Sequence, residues 1–142
     1  MTASLDDASR AAHGELALRV APMPADVNIN GDVFGGWILA RIDLAAGLAA
    51  MRRARGRVAT VAVNSVQFKQ PVSVGDVVSL YTQVLRTGRT SITVAVEVFA
   101  ERGHDAPVTV KVTEAQLTLV AIDDHGRKRL LPEFAAQAGD DC

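Results

Sequence analysis

The stretch that most constrains this chain runs from Phe34 to Met51, Phe-Gly-Gly-Trp-Ile-Leu-Ala-Arg-Ile-Asp-Leu-Ala-Ala-Gly-Leu-Ala-Ala-Met. At about 3.6 residues per turn it is apolar almost all round, the pattern of a buried helix. Asp43 stands in its middle, among Leu39, Ala40, Gly47 and Ala50. Arg41 is two residues away, hence on a different face, and cannot pair with Asp43 along the helix. An ionised carboxylate is costly to bury without partners. Two explanations stay open. Another segment or subunit satisfies Asp43, or a pocket holds it to do chemistry. Ala40, Gly47 and Ala50 are small enough to leave room beside it for a ligand.

The composition narrows the function classes. At 142 residues one domain is the default, and 49% hydrophobic residues supply a substantial core. A net charge of -1 argues against a dedicated nucleic-acid binder, whose footprint is a basic face. No run approaches the ~20 apolar residues of a membrane span. Met1-Thr-Ala-Ser-Leu-Asp-Asp7 lacks the basic-then-apolar profile of a secretory signal, so a cytoplasmic location is expected. The one cysteine, Cys142, is the last residue, which disfavours a disulfide framework, a cysteine metal site and a buried catalytic thiol.

Residues 1–14 read as a flexible tail, 15–133 as the folded domain, and 134–142 as a C-terminal tail, the last alanine-rich. Glu15 to Ala21 alternates weakly as a strand, and Pro22 and Pro24 end it. Asp26 to Asp32 is rich in Asn, Asp and Gly and reads as a loop. The helix follows, to about Arg53; Arg52, Arg53 and Arg55 complement its C-terminal dipole, and Gly56 is expected to stop it. Strands are then expected over 57–69, 77–86, 90–101 and 108–122, with a hairpin signal at Thr87-Gly88-Arg89. A single helix covered all round needs a sheet wrapped about it. The expected class is α+β, a curved antiparallel sheet of about five strands around one central buried helix, the hot-dog fold.

Several separated segments, in order and spacing, carry a family resemblance. Met23-Pro-Ala-Asp-Val-Asn-Ile-Asn-Gly-Asp-Val-Phe-Gly-Gly-Trp37, followed by Asp43, resembles the acyl-CoA thioesterases of the YciA-like group. Gly56-Arg-Val-Ala-Thr-Val-Ala-Val63, Phe68-Lys-Gln-Pro-Val-Ser-Val-Gly-Asp76 and Gly88-Arg-Thr-Ser91 extend the match, which covers roughly residues 15–133. Val27 and Ile29 stand where the family often has smaller or polar residues, a change that bears on pocket shape.

The resemblance implies hydrolysis of acyl-coenzyme A, with coenzyme A part of the substrate and no further cofactor or metal. It implies Asp43 as the catalytic carboxylate and Asn28 as the asparagine that works with it across a subunit interface. It also implies a homo-oligomer, a dimer or a trimer of dimers. A carboxylate suits either route, as base toward water or as nucleophile on the thioester. Asn28 would orient water or substrate, although Asn in such a loop is more often a turn or capping residue. Gly35 and Gly36 open the helix, where backbone N–H groups lack partners and point outward at the positive end of the dipole. Glycine lets a ligand come close, so Gly36 is the candidate oxyanion donor and Gly35 a substrate neighbour. Arg57, Arg86, Arg89 and Lys111 lie on or beside strands and are the candidates for the coenzyme A phosphates, Arg89 first and Arg57 next, with Lys69 behind them; Thr60 and Ser91 in the matched segments join them as substrate-binding residues.

The other candidates are weak. His13, His104 and His125 follow no nucleophile or metal-ligand spacing, and there is no Gly-x-Ser-x-Gly, Gly-x-Gly-x-x-Gly or P-loop. Trp37 reads as core or interface. A non-catalytic acyl-CoA binding or sensing domain is the alternative, and a dehydratase on the same fold would need an interior histidine.

Overall fold

The computed structural model describes residues 14–135. β1 (Glu15–Val20) leads through a 3-10 turn at Pro24–Asp26 to α1 (Gly35–Ala54), and β2 (Val58–Phe68), β3 (Val77–Thr87), β4 (Ser91–Arg102) and β5 (Val108–Ala121) follow. Residues 1–13 and 136–142, most of the two expected tails, lie outside the described residues, and residues 132–135 form a helical turn. No helix among the described residues is long and apolar enough to cross a membrane.

The strands make one antiparallel sheet in the order β1-β3-β4-β5-β2. β3, β4 and β5 follow one another through hairpins, as their turn signals require. β2 does not join β3. It pairs with β5, Val58 opposite Ala121 and Phe68 opposite Thr113, so residues 69–76 cross the end of the sheet. That crossing is tied down. Val33 N–H donates to the Val72 carbonyl at 2.9 Å, and Val72 is fully buried. The buried Asp76 carboxylate accepts from Ser73 N–H at 2.9 Å and from Arg102 Nε at 3.0 Å.

α1 lies across one face of the sheet. Ile38, Ile42, Ala45, Ala46, Ala50 and Ala54 are its buried residues. They belong to one cluster with Leu80 of β3, Val94 and Val96 of β4, and Leu117 and Leu119 of β5. The alanines on this face let the helix approach the sheet closely, and each strand supplies every second side chain to the contact.

The helix end differs from expectation in detail. Arg55, not Gly56, takes the left-handed conformation, with φ 55°. Gly56 serves a different need: a Cβ there would lie 2.7 Å from Arg129 Nη2. Arg129 donates to the carbonyls of Ala54 at 2.9 Å and Ile122 at 3.1 Å, so the segment after β5 satisfies the end of the helix.

The opposite side of α1 is open. Ala40, Asp43, Leu44 and Met51 are all exposed in the single chain. Apolarity all round was expected to mean cover all round, but the sheet of one chain covers one side only. The uncovered side continues onto β2, an edge strand with Val61 55%, Val63 45% and Phe68 54% exposed.

Candidate active site

Asp43 was expected to be buried, and the single chain leaves it exposed on the open side of α1. It is not unpartnered. Thr60 donates from Oγ1 to Asp43 Oδ1 at 2.6 Å, joining the edge strand to the middle of the helix. No hydrogen bond among the described residues reaches Oδ2. The carboxylate is therefore anchored through one oxygen and open through the other. Thr60 was placed with the substrate by resemblance; its hydroxyl is found holding the carboxylate.

β2 is irregular where Thr60 sits. Thr60 pairs with Leu119 and Ala62 with Thr118; Val63 pairs with Leu117 and Ser65 with Gln116. Val61 and Asn64 are thus each an extra residue, two bulges in one strand. Bulges raise the local twist and re-aim side chains, and they concentrate at sheet edges and beside functional sites. Thr60 stands directly before the first.

The start of α1 lies nearby along the same open side. Its N-cap, Phe34, makes no side-chain capping bond, so the first-turn N–H groups keep no side-chain acceptor at the cap. Gly35 packs near Phe68, whose Cζ would be 3.4 Å from an added Cβ. Around Gly36 an added Cβ would meet nothing within 4 Å. Neither backbone conformation nor crowding in this chain requires glycine at 36. The same holds for Gly47, one turn after Asp43. An apolar cleft of about 280 Å³ opens beside the helix start, lined by Val33, Gly35, Ile38, Phe68 and Val72. A larger cleft of about 460 Å³ lies between β1, β3 and the end of α1, against Leu16, Leu48, Arg52 and Thr82. It touches none of the expected site residues, so size does not mark the reactive centre here.

Asn28 is not brought to Asp43 within one chain. Its Oδ1 accepts from the N–H groups of Asn30 at 2.9 Å and Asp32 at 3.1 Å, and its own N–H donates to the Asp32 carbonyl at 2.7 Å. It closes a tight loop, the common role of asparagine. Only the Nδ2 donors remain for another partner. The next residue, Ile29, is fully exposed at the loop tip.

Arg57 and Arg89 flank the end of β5. Ile122 N–H donates to the Arg57 carbonyl at 3.0 Å, and Ala121 N–H to the Thr90 carbonyl at 2.9 Å. Across two strand spacings the pair stands about 10 Å apart at the backbone. Both side chains already have a contact: Arg57 donates to the Asp123 carbonyl at 3.2 Å, and the Arg89 guanidinium lies 5.2 Å from the centre of the Phe134 ring. Ser91 sits against Gly88, where an added Cβ would lie 2.7 Å from its Oγ, and tightens the turn that presents Arg89. Lys69 and Lys111 are engaged elsewhere, with Glu114 at 3.3 Å and with Glu97 at 2.9 Å. The Glu114 carboxyl is held below the usual carboxylate range chiefly by its hydrogen bond from Lys111.

Trp37 is half-buried against the core and carries the Arg41 guanidinium 4.7 Å from its ring centre. That contact takes Arg41 away from Asp43, as its position on the helix requires. His104 and His125 are exposed in turns, and His13 lies outside the described residues.

A five-stranded antiparallel sheet laid over one long helix is the hot-dog fold. The chain belongs to the Thioesterase superfamily, whose profile matches residues 30–107. It is 45% identical over 135 residues to an uncharacterized acyl-CoA thioester hydrolase of Haemophilus influenzae, covering 93% of this chain and 88% of that one. To the acyl-CoA thioester hydrolase YciA of Escherichia coli it is 42% identical over 121 residues, covering 84% and 92%. Among solved structures, a hexameric hotdog fold thioesterase of Campylobacter jejuni superposes with a TM-score of 0.82 at 40% identity, covering 88% of this chain and 96% of that one. A hexameric broad specificity acyl-coenzyme A thioesterase superposes with a TM-score of 0.81 at 41% identity, covering 90% and 99%.

Proposed function

We propose that this protein hydrolyses acyl-coenzyme A to a free carboxylic acid and coenzyme A. The observation that carries the reading is the Thr60–Asp43 hydrogen bond of 2.6 Å, which fixes one carboxylate oxygen and leaves the other free. On the base route Oδ2 takes a proton from water, and the hydroxide adds to the thioester carbonyl. The oxyanion that forms faces the Gly36 N–H at the positive end of α1. The C–S bond then breaks, and the proton held by Asp43 passes to the leaving thiolate. On the nucleophile route Oδ2 attacks the carbonyl directly, the C–S bond breaks as the coenzyme A thiolate leaves, and water hydrolyses the resulting anhydride, giving up a proton to the thiolate. Heavy-oxygen water tests the nucleophile route: in a single turnover the base route labels only the released acid, and label in Asp43 requires the anhydride, opened by water at the Asp43 carbonyl.

The working unit is a homo-oligomer, a dimer further assembled as a trimer of dimers. An 11-residue edge strand with exposed valines is a liability unless another strand pairs with it. Two β2 strands pairing edge to edge make one continuous sheet and cover the open side of α1. The hexameric relatives support that assembly. Asn28 of one subunit then serves the Asp43 of the other as a donor through Nδ2, since its Oδ1 is already used. Arg57 and Arg89 hold coenzyme A phosphates, and the acyl chain takes the apolar space beside α1. The cytoplasm is the setting, and no cofactor beyond the substrate takes part.

A panel of acyl-CoA substrates, assayed for free thiol release by the wild type and by Asp43→Asn, tests the reading. Turnover by the wild type, largely lost in the variant, supports it. Coenzyme A binding without turnover of any chain length would show a binding domain instead.

A further inference from the structure

We infer that Phe134 is a positioning residue for the coenzyme A nucleotide, acting through Arg89; this rests on the acyl-CoA reading above. Residue 89 is gripped twice by the segment that follows β5. Leu131, fully buried, donates its N–H to the Arg89 carbonyl at 2.8 Å. Phe134, three residues on, lies under the Arg89 guanidinium with 5.2 Å between cation and ring centre. The ring is itself held, half-buried against the core, and the Phe134 backbone N–H donates to the Leu131 carbonyl at 3.0 Å.

A cation–π contact draws the guanidinium to the ring without using a lone-pair acceptor, so its edge N–H groups stay available for hydrogen bonds. Those edge groups form the fork that binds a phosphate through two parallel hydrogen bonds. An exposed arginine on a hairpin tip otherwise loses much rotamer freedom when it binds. The aromatic ring removes part of that loss beforehand. No other expected coenzyme contact has such a support: Arg57 is held by a single bond to the Asp123 carbonyl. The same short segment pairs Glu133 with Arg53 at 2.7 Å, which ties it to the end of α1.

The full-length protein, Phe134→Leu and Phe134→Tyr are compared on an acyl-CoA and on the matching acyl-pantetheine, which lacks the nucleotide. Coenzyme A affinity is measured alongside by calorimetry. Phe134→Leu should raise KM for acyl-CoA and Kd for coenzyme A about 3- to 5-fold, the scale of an exposed cation–π contact, with kcat unchanged. Phe134→Tyr should restore the wild-type values, and acyl-pantetheine should respond to neither. In an Arg89→Ala background Phe134→Leu should add nothing. Unchanged coenzyme A affinity in Phe134→Leu overturns the inference, as does an equal loss on acyl-pantetheine, which marks a merely structural role. Phe134→Met replaces Phe134→Leu if the latter assembles poorly. Absence of turnover with intact coenzyme A binding defeats the hydrolase reading alone, because the affinities still decide the role of Phe134.

Discussion

Thr60 on the edge strand and Asp43 in the middle of α1 are joined by a hydrogen bond of 2.6 Å, a link across 17 residues of chain. The bond fixes the carboxylate rotamer without burying it. Asp43→Asn keeps the shape and loses the base or nucleophile, so kcat should fall by roughly 10²–10⁴. Thr60→Val keeps the volume and loses only the bond. Its kcat should fall about 10-fold, with Asp43 free to leave its productive position, and its thermal midpoint should move little because the volume is kept and a single hydrogen bond contributes only about 1 kcal/mol net. Steady-state rates beside melting curves check both; wild-type turnover by Asp43→Asn would falsify the assignment.

How much of this was legible follows from the range of each interaction. The α1 pattern placed a helix from Phe34 to Arg53, and it spans Gly35–Ala54. The strand runs were equally close, since alternation and turn residues act over a few neighbours. Which strands pair is set by long-range contacts, so the junction of β2 with β5 had no local signature. Nor did the partnership of Thr60 with Asp43, which depends on a helix and a strand crossing at one point. The burial of Asp43 was misjudged for a different reason. Leu44 and Met51 are apolar and exposed, and a wheel cannot tell which covering surface belongs to the same chain. Arg55 at the helix end was hidden behind Gly56, whose absent Cβ makes room for Arg129 rather than for a left-handed turn.

The proposed assembly runs through the edge of β2, which is exposed in the single chain. Val63 is 45% exposed there, and a charge at an edge position opposes strand pairing. Val63→Lys should therefore shift the protein toward smaller species in sedimentation and lower activity with them, while circular dichroism keeps the strand signal of each chain. A variant that sediments and turns over like the parent places the interface elsewhere.

Two carboxyls respond to acid in a defined direction. Glu114 is held low first by its hydrogen bond from Lys111, against an opposing effect of burial, with Lys69 adding. Glu133 is held low first by its hydrogen bond from Arg53. A folded-state value below the unfolded one means a stabilising contribution that is complete above the ordinary carboxylate range, about 4.3, and lost as pH falls through the folded value. The thermal midpoint should drop on acidification from about pH 7 to about pH 3, and Lys111→Met, lacking the pairs of Lys111 with Glu114 and Glu97, should drop less. Parallel curves for variant and parent would show that this cluster contributes nothing to acid sensitivity.

Gly36 separates stability from function. A methyl group there meets no atom within 4 Å, and the residue is helical, so alanine fits without strain. Alanine is also the better helix former, by up to about 1 kcal/mol in a helix interior and less in the first turn. On folding grounds alone the substitution is neutral or favourable. If the Gly36 N–H receives the thioester oxygen, the added methyl stands where the acyl group must approach. Gly36→Ala should then melt at the same temperature or higher while kcat/KM falls at least 10-fold, a loss of about 1.4 kcal/mol in transition-state binding. Gly47→Ala, equally uncrowded in the single chain, provides the comparison for effects that come from the partner subunit rather than from the oxyanion. Undiminished kcat/KM in Gly36→Ala moves the oxyanion donor away from the start of α1.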